Sequence, residues 1–168
     1  MNKKDMENNM LSLYIPKEED LWFRALMLND ADTMSYNHAY GGTIDFKKEC
    51  WHDWYDYWVL NCGDKRFYRY LKNEDDTFVG EIAYHLDDEI NNYVANVIIL
   101  AKYRGRGYGS SGLDMLCESA FENGISVLYD DIAIDNEAIY MFKKHGFIEE
   151  YRTNEKIYLK KYLNKDTK

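Results

Sequence analysis

The stretch "LAKYRGRGYGSSGLDML", residues 100 to 116, places Gly105, Gly107 and Gly109 at alternate positions, with Arg104 and Arg106 among them. An apolar run, Val97 to Ala101, leads in, and a segment of helical spacing leads out. Backbone this bare belongs where a chain turns tightly or approaches something closely. The stretch therefore reads as strand, loop and helix, with the glycines at the joint. Glycines expose amide hydrogens, and a helix starting at Ser110 or Ser111 adds unpaired N–H groups with positive dipole character. Such a place binds anions. Lys102, Arg104 and Arg106 make it a local positive site suited to a di- or polyphosphate. A turn without a ligand needs one or two glycines and gains nothing from flanking arginines.

The rest of the chain limits what can surround this loop. Its 168 residues, 46% hydrophobic and 16% aromatic, suffice for one substantial core and one domain. A formal net charge of -9 argues against a general nucleic-acid binder and favours a small cationic partner. Cys50, Cys62 and Cys117 form no CxxC pair and no even-numbered framework, so a reduced, cytoplasmic setting is expected, with no metal centre. The first ten residues lack the apolar stretch of a signal peptide, and no run is long enough to cross a bilayer, so a soluble protein without membrane contact is expected. A single proline and no Gly/Ser linker or repeat leave no sign of a boundary.

Periodicity supplies the elements. Met10 to Ile15 reads as a strand, followed by a helix with Leu21, Trp22, Ala25, Leu26 and Asn29 on one face. Trp51, Trp54, Tyr55 and Trp58 fall at i, i+3, i+4 and i+7, an amphipathic helix. The period then changes to two: Phe67 to Leu71, Thr77 to Leu86 and Tyr93 to Ala101 read as antiparallel neighbours. After the glycines, Leu113, Leu116, Cys117, Ala120 and Phe121 line a helix that Gly124 ends. Ser126 to Ile134 is a strand, and Asp135 or Asn136 caps a short helix ended by Gly146. Phe147 to Arg152 and Lys156 to Leu163 are the last strands, the second with a solvated basic end. The order predicts a mixed α/β (α+β) domain with a mostly antiparallel sheet.

Three phosphate loops compete for the glycines. No GxxxxGK[ST] occurs, which excludes the Walker motif, and length with the absence of HRD and DFG excludes a kinase loop. Gly107, Gly109 and Gly112 satisfy GxGxxG, with Asp130 and Asp131 at about the spacing of a ribose-binding acid. Against a dinucleotide fold, the strand ends several residues too early and only one strand-helix-strand unit is present. Arg104 to Gly109 has the form [QR]xxGx[GA], and with "DNEAIYMFKKHGF" downstream it resembles the two signatures of the GNAT superfamily of N-acetyltransferases.

The resemblance implies a single N-acetyltransferase domain over 1–168, with acceptor-side elements in 10–66, a cofactor core in 67–163, and a twisted sheet splayed around an acetyl-CoA cleft. It implies acetyl-CoA as cosubstrate, its pyrophosphate on Arg104, Gly105, Arg106, Gly107, Tyr108, Gly109 and Ser110, its pantetheine arm along Val97, Ile98, Ile99 and Leu100, and a contact from Asn136. An amide near Ile99 or Leu100 would face the thioester oxygen. The chemistry it implies is direct attack by a primary amine, whose proton needs an acceptor. Alternation puts Glu81 and His85 on one strand face, Glu81 being the first candidate base and His85 the second, with solvated strand residues as the competing reading. The superfamily's tyrosine acid is replaced by Phe142, and Tyr140, rotated by about 200° along the helix, does not substitute. A catalytically silent acyl-CoA sensor is thus the alternative function.

The acceptor's identity is expected in the N-terminal third. Tyr36, His38, Tyr40, Trp51, Trp54, Tyr55 and Trp58, interspersed with Asp32, Glu49, Asp53 and Asp56, offer ring faces and carboxylates to a cationic amine, with Tyr36, His38, Trp54 and Trp58 as the named candidates. The same stripe would also serve as plain core. Expected partners are a small-molecule amine and, for assembly, a second copy in a homodimer.

Overall fold

The computed structural model of the protein describes residues 11–164. Strand β1 spans Ser12–Tyr14, and helix α1 spans Trp22–Asn29. A 3-10 segment, Thr33–Tyr40, leads on to α2, Trp51–Tyr55, which widens into a π turn over Asp56–Leu60. Strands β2 (Arg66–Lys72), β3 (Phe78–Asp87) and β4 (Asn92–Ile99) follow. Then come α3 (Tyr108–Glu122), β5 (Val127–Ala133), α4 (Ala138–Lys144), β6 (Ile148–Arg152) and β7 (Lys156–Tyr162). Met10 and residues 165–168, part of the expected first strand and basic tail, lie outside the described residues.

The strands form one seven-stranded sheet in the order β1-β2-β3-β4-β5-β7-β6, a mixed α/β fold with a mostly antiparallel sheet, as expected. Its one parallel contact, β4 with β5, runs through only Tyr93–Leu128 and Val94–Tyr129. Beyond that point the strands part, and the sheet has a V-shaped opening where the β4 edge from Ala95 to Ile99 faces no strand among the described residues. Alternation along β3 divides the core. Ile82 and Tyr84 join Leu113, Leu116, Leu128 and Leu159 under α3 and α4, while Ala83 joins Phe23, Met27, Tyr70 and Ile98 under α1.

Two element faces differ from the sequence reading. Helix α1 buries Phe23, Met27 and Leu28, whereas Trp22 and Leu26 are 51% and 47% exposed. The interior is claimed by Phe23, which meets Tyr70 at 5.2 Å and Phe78 at 5.5 Å, and by Arg24, drawn inward by Glu81. The tryptophan helix is interrupted: Asn61 N–H reaches Asp56 O at 2.8 Å, an i+5 bond that adds a residue to the turn. Trp54 and Trp58 then stack at 5.9 Å, and Trp51 packs on Phe46. The helix after the glycines begins at Tyr108, two residues before Ser110.

Candidate active site

The opening between β4 and β5 leads into a cavity of about 1530 Å³, larger than the ~300–1,000 Å³ typical of a drug-sized ligand. The glycine loop stands at its rim. Gly105 and Gly107 have φ of +75° and +84°, the left-handed region that side-chain-bearing residues avoid. Helix α3 starts at once, and Ser111 is the first residue to bond back, to Gly107 O at 3.0 Å. The amides of its first turn are thus left without intrahelical partners. Gly109 permits close passage of α4: a Cβ there would stand 3.2 Å from Met141 Sδ.

The β3–β4 ladder decides which β4 amides face the opening. Leu100 N–H donates to Val79 O at 3.0 Å, and the register pairs Gly80 with Ile99. Hydrogen bonding alternates along an antiparallel pair, so Val97 and Ile99 turn their N–H and C=O groups away from β3, into the opening. Leu100 does not, which removes it as a thioester contact and leaves Ile99. Of the residues expected to hold cofactor, Leu100 and Arg106 do not line the cavity; the others do. Asn136 Oδ1 accepts Ala138 N–H at 2.9 Å, capping α4 at the cavity edge. Phe142 also lines the cavity, its ring 4.9 Å from Phe147.

Arg104 departs from its expected posture. Its guanidinium donates to three backbone carbonyls, Ile99 O at 3.2 Å, Asp32 O at 3.1 Å and Thr33 O at 2.7 Å. Its charge stays beside the loop, but its N–H groups are turned to the acceptor side.

On that side, Glu81 and His85 share the cavity face of β3, as alternation predicted. Glu81 is fully buried and both oxygens are engaged: Arg24 Nη1 donates to Oε1 at 2.5 Å and the Tyr68 hydroxyl to Oε2. Trp54 covers the Arg24 guanidinium at 4.6 Å, with Phe46 and Tyr68 each at 5.6 Å. Desolvation opposes the charge on Arg24, but Glu81 and Tyr68 outweigh it and hold its pKa above the ordinary value. A carboxylate locked this way is poorly placed to accept a proton from substrate, contrary to its ranking as first candidate base. His85 is half-buried and touches Trp58 edge-on at 5.8 Å; desolvation, aided by Arg66 and opposed by Asp87, lowers its pKa below the usual 6.5. A neutral imidazole faces the cavity at physiological pH.

Tyr36, His38, Trp54 and Trp58 all line the cavity. Burial, then the charge of Glu81, pushes the Tyr36 hydroxyl up to about 12, so it remains a donor. Trp51, Tyr55, Asp32, Glu49, Asp53 and Asp56 lie off the cavity, a correction to the expected acidic lining. The carboxylates that replace them come from the other arm: Asp130 and Asp131 on β5, Asp135 and Glu137 beyond it, and Glu155 before β7. The pair Asp130-Asp131, read as a decoy for ribose binding, belongs to this set. Burial, then Asp131, holds the Asp130 carboxyl well above the usual carboxylate range. Nothing in local sequence spacing ties these acids to an aromatic pocket built from residues so much earlier in the chain. Among the described residues no cluster of His, Cys, Asp or Glu could hold a metal ion, and no helix is long and apolar enough to cross a membrane.

Comparison with solved structures gives the same fold. The spermidine N-acetyltransferase of Vibrio cholerae, in complex with CoA and spermine, superposes with a TM-score of 0.77 at 15% identity, covering 91% of this chain and 95% of that one. An N-acetyltransferase from Staphylococcus aureus Mu50 gives 0.74 at 18% identity, covering 92% and 99%. No curated protein sequence matches the chain significantly. Residues 26–147 match the profile described as "Acetyltransferase (GNAT) family", which takes in the glycine loop, the parted strands and α4. On this match over most of its length, the chain belongs to the GNAT family of acetyltransferases.

Proposed function

We propose that the protein transfers the acetyl group of acetyl-CoA to a primary amine of a small cationic acceptor by direct attack. The observation that carries this reading is the parted β4–β5 pair with the glycine loop and the bare first turn of α3 at its rim. Loop amides from Gly105 to Ser110 take the pyrophosphate, and the free β4 edge takes the pantetheine arm. The Ile99 N–H, aimed into the opening, stabilises the oxyanion as the amine adds to the thioester carbon. His85 accepts the ammonium proton, directly or through water. The carbon–sulfur bond then breaks, and a thiol of ordinary acidity, near pKa 8.5, leaves as thiolate with little help.

The charge of the cavity supports the cationic acceptor. Arg24, Arg104 and Lys156 stand against Glu81, Asp130, Asp131, Asp135, Glu137 and Glu155. Arg24 is paired with Glu81 and Lys156 with Asp131, and the Asp130 carboxyl, held well above the usual range, favours its neutral form, which leaves Asp135, Glu137 and Glu155 in excess of Arg104. A polyamine suits this lining, and the Vibrio cholerae enzyme is named for spermidine. Phe142, a ring in the cavity wall without a hydroxyl to donate a proton, favours the silent acyl-CoA sensor as second reading. Thiol release from acetyl-CoA with a panel of diamines, polyamines and amino sugars decides: turnover with a cationic amine is expected. Tight CoA binding with no turnover on any amine would leave the sensor.

A further inference from the structure

We infer that Arg104 is a positioning residue for the acceptor site, which it serves by clamping the 3-10 segment Thr33–Tyr40 across the cofactor opening. The inference rests on the transferase reading above. The three carbonyls that receive the guanidinium are Ile99 O, where β4 ends, and Asp32 O and Thr33 O, where the segment begins. Thr33 doubles the clamp. Its side chain is fully buried, and its Oγ1 accepts Ala101 N–H at 2.8 Å while donating to Asp30 Oδ2. Thr33 N–H also donates to Asp30, at 3.0 Å. Residues 99–104 and 30–33 are thereby joined by a polar network in which each member has a partner: its centre at Thr33 is buried, the condition under which such bonds rigidify their surroundings, while Arg104 and Asp32 at its rim are exposed.

Past this anchor the segment crosses towards the other arm. Tyr36 and His38 enter the cavity lining, and the far end meets the β5–β7 side through the exposed side chains of His38 and Tyr40. His38 Nε2 stands 3.3 Å from Asp135 Oδ2, with side chains 55% and 65% exposed, and Lys156 Nζ lies 4.7 Å from the Tyr40 ring. Exposed pairs of this kind contribute little stability, so the segment is held at the Arg104 end and only latched at the other. An acceptor that reaches Tyr36 and His38 finds them placed by Arg104. Because Arg104 is also the first residue of the phosphate loop, its backbone belongs to the cofactor side while its guanidinium serves the acceptor side.

The fork matters more than the charge, because a lysine cannot reach three diverging carbonyls. Arg104→Lys and Arg104→Gln, each checked for wild-type thermal unfolding, are compared by calorimetry with CoA and by steady-state kinetics with the best amine found. Arg104→Lys is expected to leave the CoA Kd within about threefold and to raise the acceptor KM about tenfold, the loss of charge-assisted hydrogen bonds. His38→Ala, which slackens the far end, should add little to the KM of Arg104→Lys although it raises that of the wild type. A pair of independent effects would overturn the inference. So would an Arg104→Lys enzyme with unchanged acceptor KM, especially if Arg104→Gln lost CoA affinity tenfold, since Arg104 would then be a phosphate ligand. Absence of turnover in the wild type would instead remove the transferase reading, and this inference with it. If the arginine variants unfold early, Thr33→Ser with an unchanged KM and Thr33→Val with a raised one carry the same test.

Discussion

Glu81 and His85 sit four residues apart on one face of β3, yet their surroundings divide their roles. Glu81 holds a buried guanidinium; removing its charge leaves Arg24 uncompensated among Trp54, Phe46 and Tyr68. Glu81→Gln is therefore expected to cost roughly 3–5 kcal/mol of stability, read as a lower urea midpoint. A variant of wild-type stability with no activity would instead return Glu81 to the role of base. His85 brings a pH dependence of its own. With its pKa lowered by desolvation, its neutral form is favoured in the folded state, so its contribution to stability is present above pH 6.5 and lost as pH falls through the lowered value. The same group as base places the acid limb of kcat/KM below the ordinary imidazole range. His85→Gln should abolish that limb and reduce kcat by roughly 10²–10⁴; a limb that persists in the variant would assign the base elsewhere.

At the scale of elements, the opening depends on backbone more than on side chains. Gly107 combines a left-handed φ with a place at the start of α3, under the phosphates of the proposed cofactor. Gly107→Glu is expected to weaken CoA binding beyond calorimetric detection and to cost about 1–2 kcal/mol for the strained φ; an unchanged Kd would remove the phosphate assignment. The glycine loop, the strands and the helix ends at Gly124 and Gly146 were legible because each is fixed by local chemistry: left-handed backbone, alternation or a cap. Faces set by distant partners were not. The inward turn of Arg24 depends on Glu81, 57 residues away, and the posture of Arg104 depends on carbonyls more than 70 residues back. The π turn after α2, closed by the local Asn61–Asp56 bond, hides because tryptophan spacing alone fits an unbroken helix. Glu81 and His85 were correctly placed on one face, but which of them is free for chemistry was decided by packing.

For the whole molecule, a net charge of -9 and a cavity whose acids outnumber its bases produce a field that draws cations inward. The charged acids beyond Glu81, namely Asp131, Asp135, Glu137 and Glu155, lie on or beyond β5, so the attraction acts from that arm of the cavity. Exposed charges are screened over a Debye length, ~30 Å at 0.01 M salt and ~8 Å at 0.15 M, so steering is strong in dilute buffer and short-ranged at physiological ionic strength. With acetyl-CoA held at saturation, so that salt effects on the cofactor drop out, kcat/KM for a polyamine should fall about tenfold from low to high salt, with kcat nearly constant. An arylamine, uncharged at neutral pH, serves as the control and should show no such slope. If both acceptors respond alike, the field of the acidic arm does not select the acceptor, and the preference for cations has to come from contact with the aromatic rings of Trp54 and Trp58.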